Sequence, residues 1–205
     1  MVTIVDYGMG NLGSVKNMLK KVGSSCTVSL SKDDIIKADK LILPGVGSFD
    51  QGIKNLKSLG YYDLIKEKVL SDNTPILGVC LGMQLLTNGS DEGMEEGFGF
   101  VNAYAHKFSF DSSSKLKTPH MGWNVAEIQK TSPIFDSMYD QENRFYFVHS
   151  YAVKCQNEED ILTTTKHGSV FVSAFAKGNV IGAQFHPEKS HKFGMSFFKN
   201  FLSAN

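Results

Sequence analysis

Residues 76–86, ILGVCLGMQLL, set Cys80 between an apolar strand-like run and a helix-like run, with Gly78 and Gly82 two residues to either side. A cysteine is often a small buried hydrophobe. The paired glycines point instead to a backbone that turns too sharply for side chains on its flanks. GVCLG (78–82) has the G-x-nucleophile-x-G form of a nucleophile elbow. A strand passing directly into a helix holds the nucleophile in a strained conformation, costing on the order of 1–3 kcal/mol. The residues two before and two after then crowd each other, and glycine relieves this. The sulfur is left at a helix N-terminus, where the dipole favours thiolate over thiol. The following amide, Leu81 N–H, points where an oxyanion would form. A strand–turn–helix with an inert cysteine accounts for the pentapeptide equally well.

Outward from the elbow, the first half alternates apolar runs with helical spacing. Residues 2–6 (VTIVD), 26–30, 41–43 (LIL) and 75–79 (PILGV) read as strands. Continuous apolarity in the last suggests burial on both faces, as in a parallel sheet. Residues 14–22 place Val15, Met18, Leu19 and Val22 at helical spacing, and 51–69 is helical with a break near Gly60. Beyond about residue 97, short β-rich runs follow one another: FVNAYAHKF, WNVAEI, RFYFVHSYAV, DILTTTKH, SVFVSAFA and VIGAQFH. These read as antiparallel or mixed strands, with a turn at Lys177-Gly178-Asn179. Residues 192–202 close as an amphipathic helix. The expectation is one α/β domain over 1–205: an open, mostly parallel twisted sheet, helices on both faces, and antiparallel extensions.

Composition narrows the function classes. The 205 residues balance 21 Lys and Arg against 21 Asp and Glu without a long charge run, so neither nucleic acid nor an anionic membrane is expected as partner. Cys26, Cys80 and Cys155 are odd in number and widely spaced, which argues against a disulfide framework or a zinc knuckle and for a reducing cytoplasm. The start, MVTIVDYGMGN, has no signal-peptide pattern, and no apolar run approaches the ~20 residues of a membrane span.

A cysteine nucleophile needs a base. Of six histidines, His186 in AQFHPEKS (183–190) ends an apolar strand, at the sheet edge where open α/β folds bind ligands. Pro187 biases His186 to extended geometry, and in extended chain Glu188 projects on the same side. Glu188 can then hold the imidazole and stabilise the imidazolium, the base-plus-orienter logic of hydrolase triads. A surface HPE turn is the competing reading.

GVCLGMQ and QFHPEKS, in this order, resemble the class I (triad) glutamine amidotransferases. PGVGSFD (44–50), HMGWN (120–124), FYFVHSY (145–151) and DYGMGN (6–11) narrow the resemblance to the glutaminase subunits of imidazole glycerol phosphate synthases, over essentially the whole chain. The resemblance implies a flavodoxin-like fold and a glutaminase using Cys80 as nucleophile, His186 for proton transfer and Glu188 as orienter. It implies an oxyanion hole from Leu81 N–H and the PGVG strand around Val46 and Gly47. Gly45 and Gly47 tolerate either sign of φ, so that strand can flip a peptide between donor-out and donor-in states. The glutamine backbone would meet Gly47, Gln84, Glu92, Ser150 and Tyr151, with Glu92 on the α-ammonium. Nothing in the chain reads as a second domain that consumes ammonia, so a separate synthase subunit is expected, a (β/α)8 barrel cyclase in a heterodimer. Asn11, Met121, Gly122, Trp123, Tyr146 and Lys189 would face it.

Other features stay open. GMGNLG (8–13) fits the spacing of a dinucleotide fingerprint, with Asp33 and Asp34 about twenty residues on. Asn11 is equally a natural helix cap, and no cofactor or metal is expected. His149 is a second histidine near the site, bracing a loop or acting in catalysis. The acidic run 90–96 (SDEGMEE) reads as a mobile loop bearing Glu92. Alternative destinations are a paralogous synthase that aminates a surface sugar, a stand-alone cysteine peptidase or γ-glutamyl hydrolase, and a binding module with a vestigial elbow.

Overall fold

A computed structural model describes residues 1–110, 116–138 and 142–204. The first half runs β1 (Val2–Ile4), α1 (Leu12–Lys21), β2 (Cys26–Val28), α2 (Lys32–Ile36), β3 (Lys40–Gly45), α3 (Phe49–Ser58), α4 (Tyr61–Leu70), β4 (Ile76–Cys80) and α5 (Leu81–Leu85). The second runs β5 (Gly89–Ser90), β6 (Ala103–Lys107), β7 (His120–Val125), β8 (Glu127–Ile128), β9 (Arg144–His149), β10 (Tyr151–Cys155), β11 (Ile161–His167), β12 (Ser169–Lys177), β13 (Val180–Ala183) and α6 (His191–Ser203).

The main sheet orders β2-β1-β3-β4-β13-β12-β10-β6-β5, with β11 and then β8 branching from β12. Its first five strands are parallel; β13 to β6 are antiparallel. The β4 side chains are all buried, as expected of a strand covered on both faces. Helices α3, α4 and α5 pack on one face around Phe49, Ile53, Leu56 and Ile65; α1 and α6 pack on the other around Leu19, Phe197 and Phe198. The α/β expectation therefore holds, antiparallel extension included. No helix among the described residues is long and apolar enough to cross a membrane.

Local chemistry explains the element ends. Asn11 caps α1, its side chain accepting the Ser14 N–H at 3.1 Å. The break between α3 and α4 falls at Gly60, whose φ of 66° suits glycine. The turn at Gly178 joins β12 and β13 antiparallel. Three features differ from the sequence reading. Helix α2 is new: Asp34 Oδ2 accepts the backbone N–H groups of Leu30 and Ser31, so this acid serves a helix start. WNVAEI divides between β7 and β8. RFYFVHSYAV is not one strand: the chain leaves the small β7–β9 sheet at Ser150 and enters the main sheet as β10.

Candidate active site

Parallel register brings three loop starts to one sheet edge. Gly45 of β3 lies opposite Cys80 of β4, and Ala183 of β13 lies opposite Val79. Val46 and Gly47 follow the first strand, Cys80 ends the second, and His186 stands three residues beyond the third. This carboxyl edge is where open α/β sheets bind ligands.

Cys80 has φ 55° and ψ −110°, and α5 begins at the next residue. The strain sits on the cysteine itself. Neither flanking glycine has a left-handed φ; what they supply is space. A Cβ on Gly78 would lie 2.6 Å from the Gly82 carbonyl oxygen, and one on Gly82 would run into the Leu43 carbonyl oxygen. Around the sulfur, the Gln184 amide Nε2 donates at 3.8 Å and the Val148 carbonyl oxygen accepts at 3.7 Å.

His186 and Glu188 form a buried pair. Nδ1 lies 2.7 Å from Glu188 Oε1, with side chains only 2% and 3% exposed. The His186 main chain is braced on both sides: its N–H donates to the Tyr146 carbonyl, and Ser190 Oγ donates to its carbonyl. His186 Nε2 and Glu188 Oε2 are buried without a hydrogen-bond partner. Burial, the largest influence, pulls the His186 pKa down, but Cys80 and Glu188 outweigh it and raise the value to about 10. At neutral pH the imidazole is therefore charged, with one N–H held by Glu188 and the other unengaged. Glu188 does not reach His186 along extended chain, as the i, i+2 argument expects. Pro187–Lys189 is a 3₁₀ turn, closed by Lys189 N–H on the His186 carbonyl and Ser190 N–H on that of Pro187. Proline at the first position of that turn suits its fixed φ.

In front of the sulfur lies a cleft of about 420 Å³. Val46, Gly47, Leu81, Gln84, Glu92, Ser150 and Tyr151 all line it, with Pro119, Val148 and His149 completing the wall. Gln84 is held by its Nε2, which donates to the Tyr151 carbonyl (3.3 Å) and to Gln184 Oε1 (3.1 Å). Glu92 Oε2 accepts the Phe49 N–H at 2.8 Å. Its loop is tied down rather than hanging free: Asp50 accepts the N–H groups of Met94 and Glu95, and Lys57 pairs with Glu95 at 2.6 Å.

His149 is a brace. Nδ1 must donate to the Tyr151 carbonyl (2.7 Å), which leaves Nε2 to accept from His120 Nδ1 at 3.0 Å. His120 Nε2 in turn accepts from Asn124 Nδ2 at 3.1 Å. Burial keeps both rings neutral, with pKa values lowered to about 3 for His149 and about 4 for His120. With both nitrogens engaged, His149 has none free to move a proton.

The residues expected at a partner surface divide in two. Met121 and Trp123 are 63% and 44% exposed on β7. Trp123 sits opposite Tyr146 in register, its ring edge-on at 6.2 Å, and Lys189 Nζ lies 5.6 Å over the Tyr146 ring. Gly122 adopts φ 125°, a value that excludes larger residues there. Asn11 is exposed on a different element, the loop entering α1, and that helix packs against the 187–189 turn. Gln184 is the site residue that sequence reasoning missed. Its signal was its place directly after β13 and two residues before His186, though the chain bends at 184–185 and strand alternation does not carry across it.

Comparison with known proteins bears on the fold and the family. The profile of the glutamine amidotransferase class-I family matches residues 3–204. "Imidazole glycerol phosphate synthase subunit HisH 2" of Methanococcus maripaludis is 52% identical over 202 residues, covering 98% of both chains. The protein of the same name in Pseudomonas aeruginosa is 47% identical over 202 residues, with 98% of each chain covered. Among solved structures, one described as a glutamine amidotransferase superposes with TM-score 0.77 at 18% identity, over 98% of this chain and 97% of that one. PurLQS from Thermotoga maritima gives a TM-score of 0.72 at 18% identity, over 98% and 96%. Those two likenesses speak to the fold; the profile and the near-half identities across full length speak to descent. The chain belongs to the class-I glutamine amidotransferase family.

Proposed function

We propose that this chain is the glutaminase subunit of an imidazole glycerol phosphate synthase, with Cys80, His186 and Glu188 as its triad. The observation that carries the reading is the strained Cys80 at the floor of a cleft, backed by a buried imidazolium–carboxylate pair. A cleft of about 420 Å³ holds one amino acid, within the roughly 300–1,000 Å³ common to small-molecule sites. An extended peptide would need more, which disfavours the peptidase reading. The names carried by the relatives favour the histidine pathway over sugar amination.

The chemistry follows from the residues. Cys80 sulfur attacks the side-chain carbonyl carbon of glutamine, forming a C–S bond while charge moves to the carbonyl oxygen. Leu81 N–H and the Val46–Gly47 strand receive that oxyanion. As the C–N bond breaks, His186 gives its Nε2 proton to the departing nitrogen, and ammonia leaves. Water then attacks the thioester, His186 takes up its proton, and glutamate departs with Cys80 regenerated. Glu188 keeps the ring oriented through both halves. Glu92 pairs with the substrate α-ammonium, while Gly47, Gln84, Ser150 and Tyr151 supply the contacts to its carboxylate end.

Ammonia made here passes to a partner, a cyclase of (β/α)8 barrel form docked over Asn11, Met121, Gly122, Trp123, Tyr146 and Lys189. Free glutaminase activity would waste glutamine, so the oxyanion hole completes only when the partner holds its own substrate. The test is glutamate release by the chain alone and then with the cyclase and its nucleotide substrate, with Cys80→Ala as control. Strong stimulation abolished by the substitution is expected. Equal rates with and without the liganded cyclase would overturn the gating, and release that survives Cys80→Ala would overturn the triad.

A further inference from the structure

Among the described residues, four buried side-chain polar atoms lack a hydrogen-bond partner: Tyr7 Oη, Asn143 Oδ1, His186 Nε2 and Glu188 Oε2. Two belong to the triad, where an open valence is what proton transfer requires. Tyr7 Oη is a third beside the same site and has no role yet. The Tyr7 side chain is 1% exposed and does not line the cleft; its hydroxyl lies against Gly45 at the end of β3. A Cβ on Gly45 would collide with its hydroxyl, and that same Cβ would stand 2.9 Å from Leu81 Cβ and 3.1 Å from Gly82 N. The Gly45 α-carbon is thus wedged between the phenol and the first turn of α5.

We propose that Tyr7 is a positioning residue of the oxyanion hole, its hydroxyl donating to the Gly45 carbonyl when the Gly45–Val46 peptide turns its N–H into the cleft. This rests on the glutaminase reading above. In a planar trans peptide the C=O of one residue and the N–H of the next point in opposite directions. Presenting Val46 N–H to an oxyanion therefore swings the Gly45 carbonyl away from the cleft, toward the side where Tyr7 waits. A carbonyl turned into the protein with no donor would be costly, and so is a buried hydroxyl with no acceptor. The rotation satisfies both at once.

The rest of the loop suits this role. Asn55 Nδ2 donates to the Tyr7 carbonyl at 2.9 Å, and Asp6 N–H donates to Ser29 Oγ at 2.8 Å, so the main chain under the phenol is fixed. Further along, Gly10 packs against Pro44 and Met9 packs under Gly47, so residues 7–10 form a shelf beneath the whole PGVG strand. Burial, and secondarily the charge of Cys80, push the Tyr7 pKa up, so the phenol is protonated and able to donate at any working pH.

The experiment is Tyr7→Phe, which removes only the hydroxyl, assayed in the complex with the cyclase and its nucleotide ligand. Stimulated kcat should fall at least about tenfold with the glutamine KM within about twofold, the pattern of an interaction realised in the transition state. The melting temperature of the variant should equal or exceed that of the parent, because the hydroxyl lost has no partner in the resting fold. Full stimulated kcat in Tyr7→Phe would overturn the assignment. So would a lost kcat accompanied by a lowered melting temperature, which would mark the hydroxyl as an ordinary structural donor. Failure of the glutaminase reading is distinguishable: the parent complex would then release glutamate no faster than Cys80→Ala, and both proposals would fall.

Discussion

Cys80 pays for its placement with a backbone that few residues adopt, at φ 55° and ψ −110°. The two glycines around it make that conformation possible by occupying no volume. A side chain on either would meet main chain, which cannot swing aside. Gly82 is the tighter of the two, because the Leu43 carbonyl stands closer to it than the Gly82 carbonyl does to Gly78. Gly82→Ala should therefore destabilise the fold by about 1–3 kcal/mol, the range of forced overpacking. Denaturant unfolding checks this, and an unchanged midpoint would mean that the elbow relaxes more easily than its geometry implies. Behind the sulfur, His186 shows how two neighbours, Cys80 and Glu188, outweigh burial. Desolvation alone would strip the imidazole of its proton, yet Cys80 and Glu188 together hold its pKa above the ordinary value. A charged ring is what the proposed reaction needs to protonate a nitrogen leaving group.

The elements differ in how plainly they could be read from sequence. β4 was legible because a strand buried on both faces is apolar throughout, and the helix pair α3 and α4 because Gly60 interrupts its spacing. Residues 144–155 were not, because the apolar run continues straight through the change of sheet at Ser150. Nothing local marks that crossing; it exists because β9 pairs with β7 while β10 pairs with β6 and β12. The Glu188 contact was legible as a partnership, while its path, through a proline-led turn, was not. The bridge between β7 and the β9–β10 crossing is the histidine chain, and it makes a pH prediction. His120 and His149 are neutral in the fold, with values of about 4 and about 3, against about 6.5 in unfolded chain. The stability they confer is present above about pH 6.5 and is lost as pH falls through the folded values, because unfolding then takes up protons. In that window His149 alone accounts for about 1.4 kcal/mol per pH unit. Unfolding measured between about pH 6.5 and 4.5 should show the parent steeper than His149→Asn by close to one proton. Parallel curves would show that these rings titrate in the native protein.

At the scale of the whole molecule, the cleft and the exposed aromatic face lie on neighbouring parts of one edge. Val148 of β9 lines the cleft, while Tyr146, two residues before it on the same strand, stands with Trp123 and Lys189 outside. Through β9, a contact on that face comes within two residues of the cleft wall. Everything in this account passes through a covalent bond between glutamine and Cys80. The most direct measurement is therefore rapid acid quenching of the unsubstituted complex through its first turnovers, followed by peptide mass spectrometry. One glutamyl group in thioester linkage is expected on the peptide containing Cys80, lost on treatment with hydroxylamine. A turning-over complex with no adduct, or with an adduct on Cys26 or Cys155 instead, would contradict it.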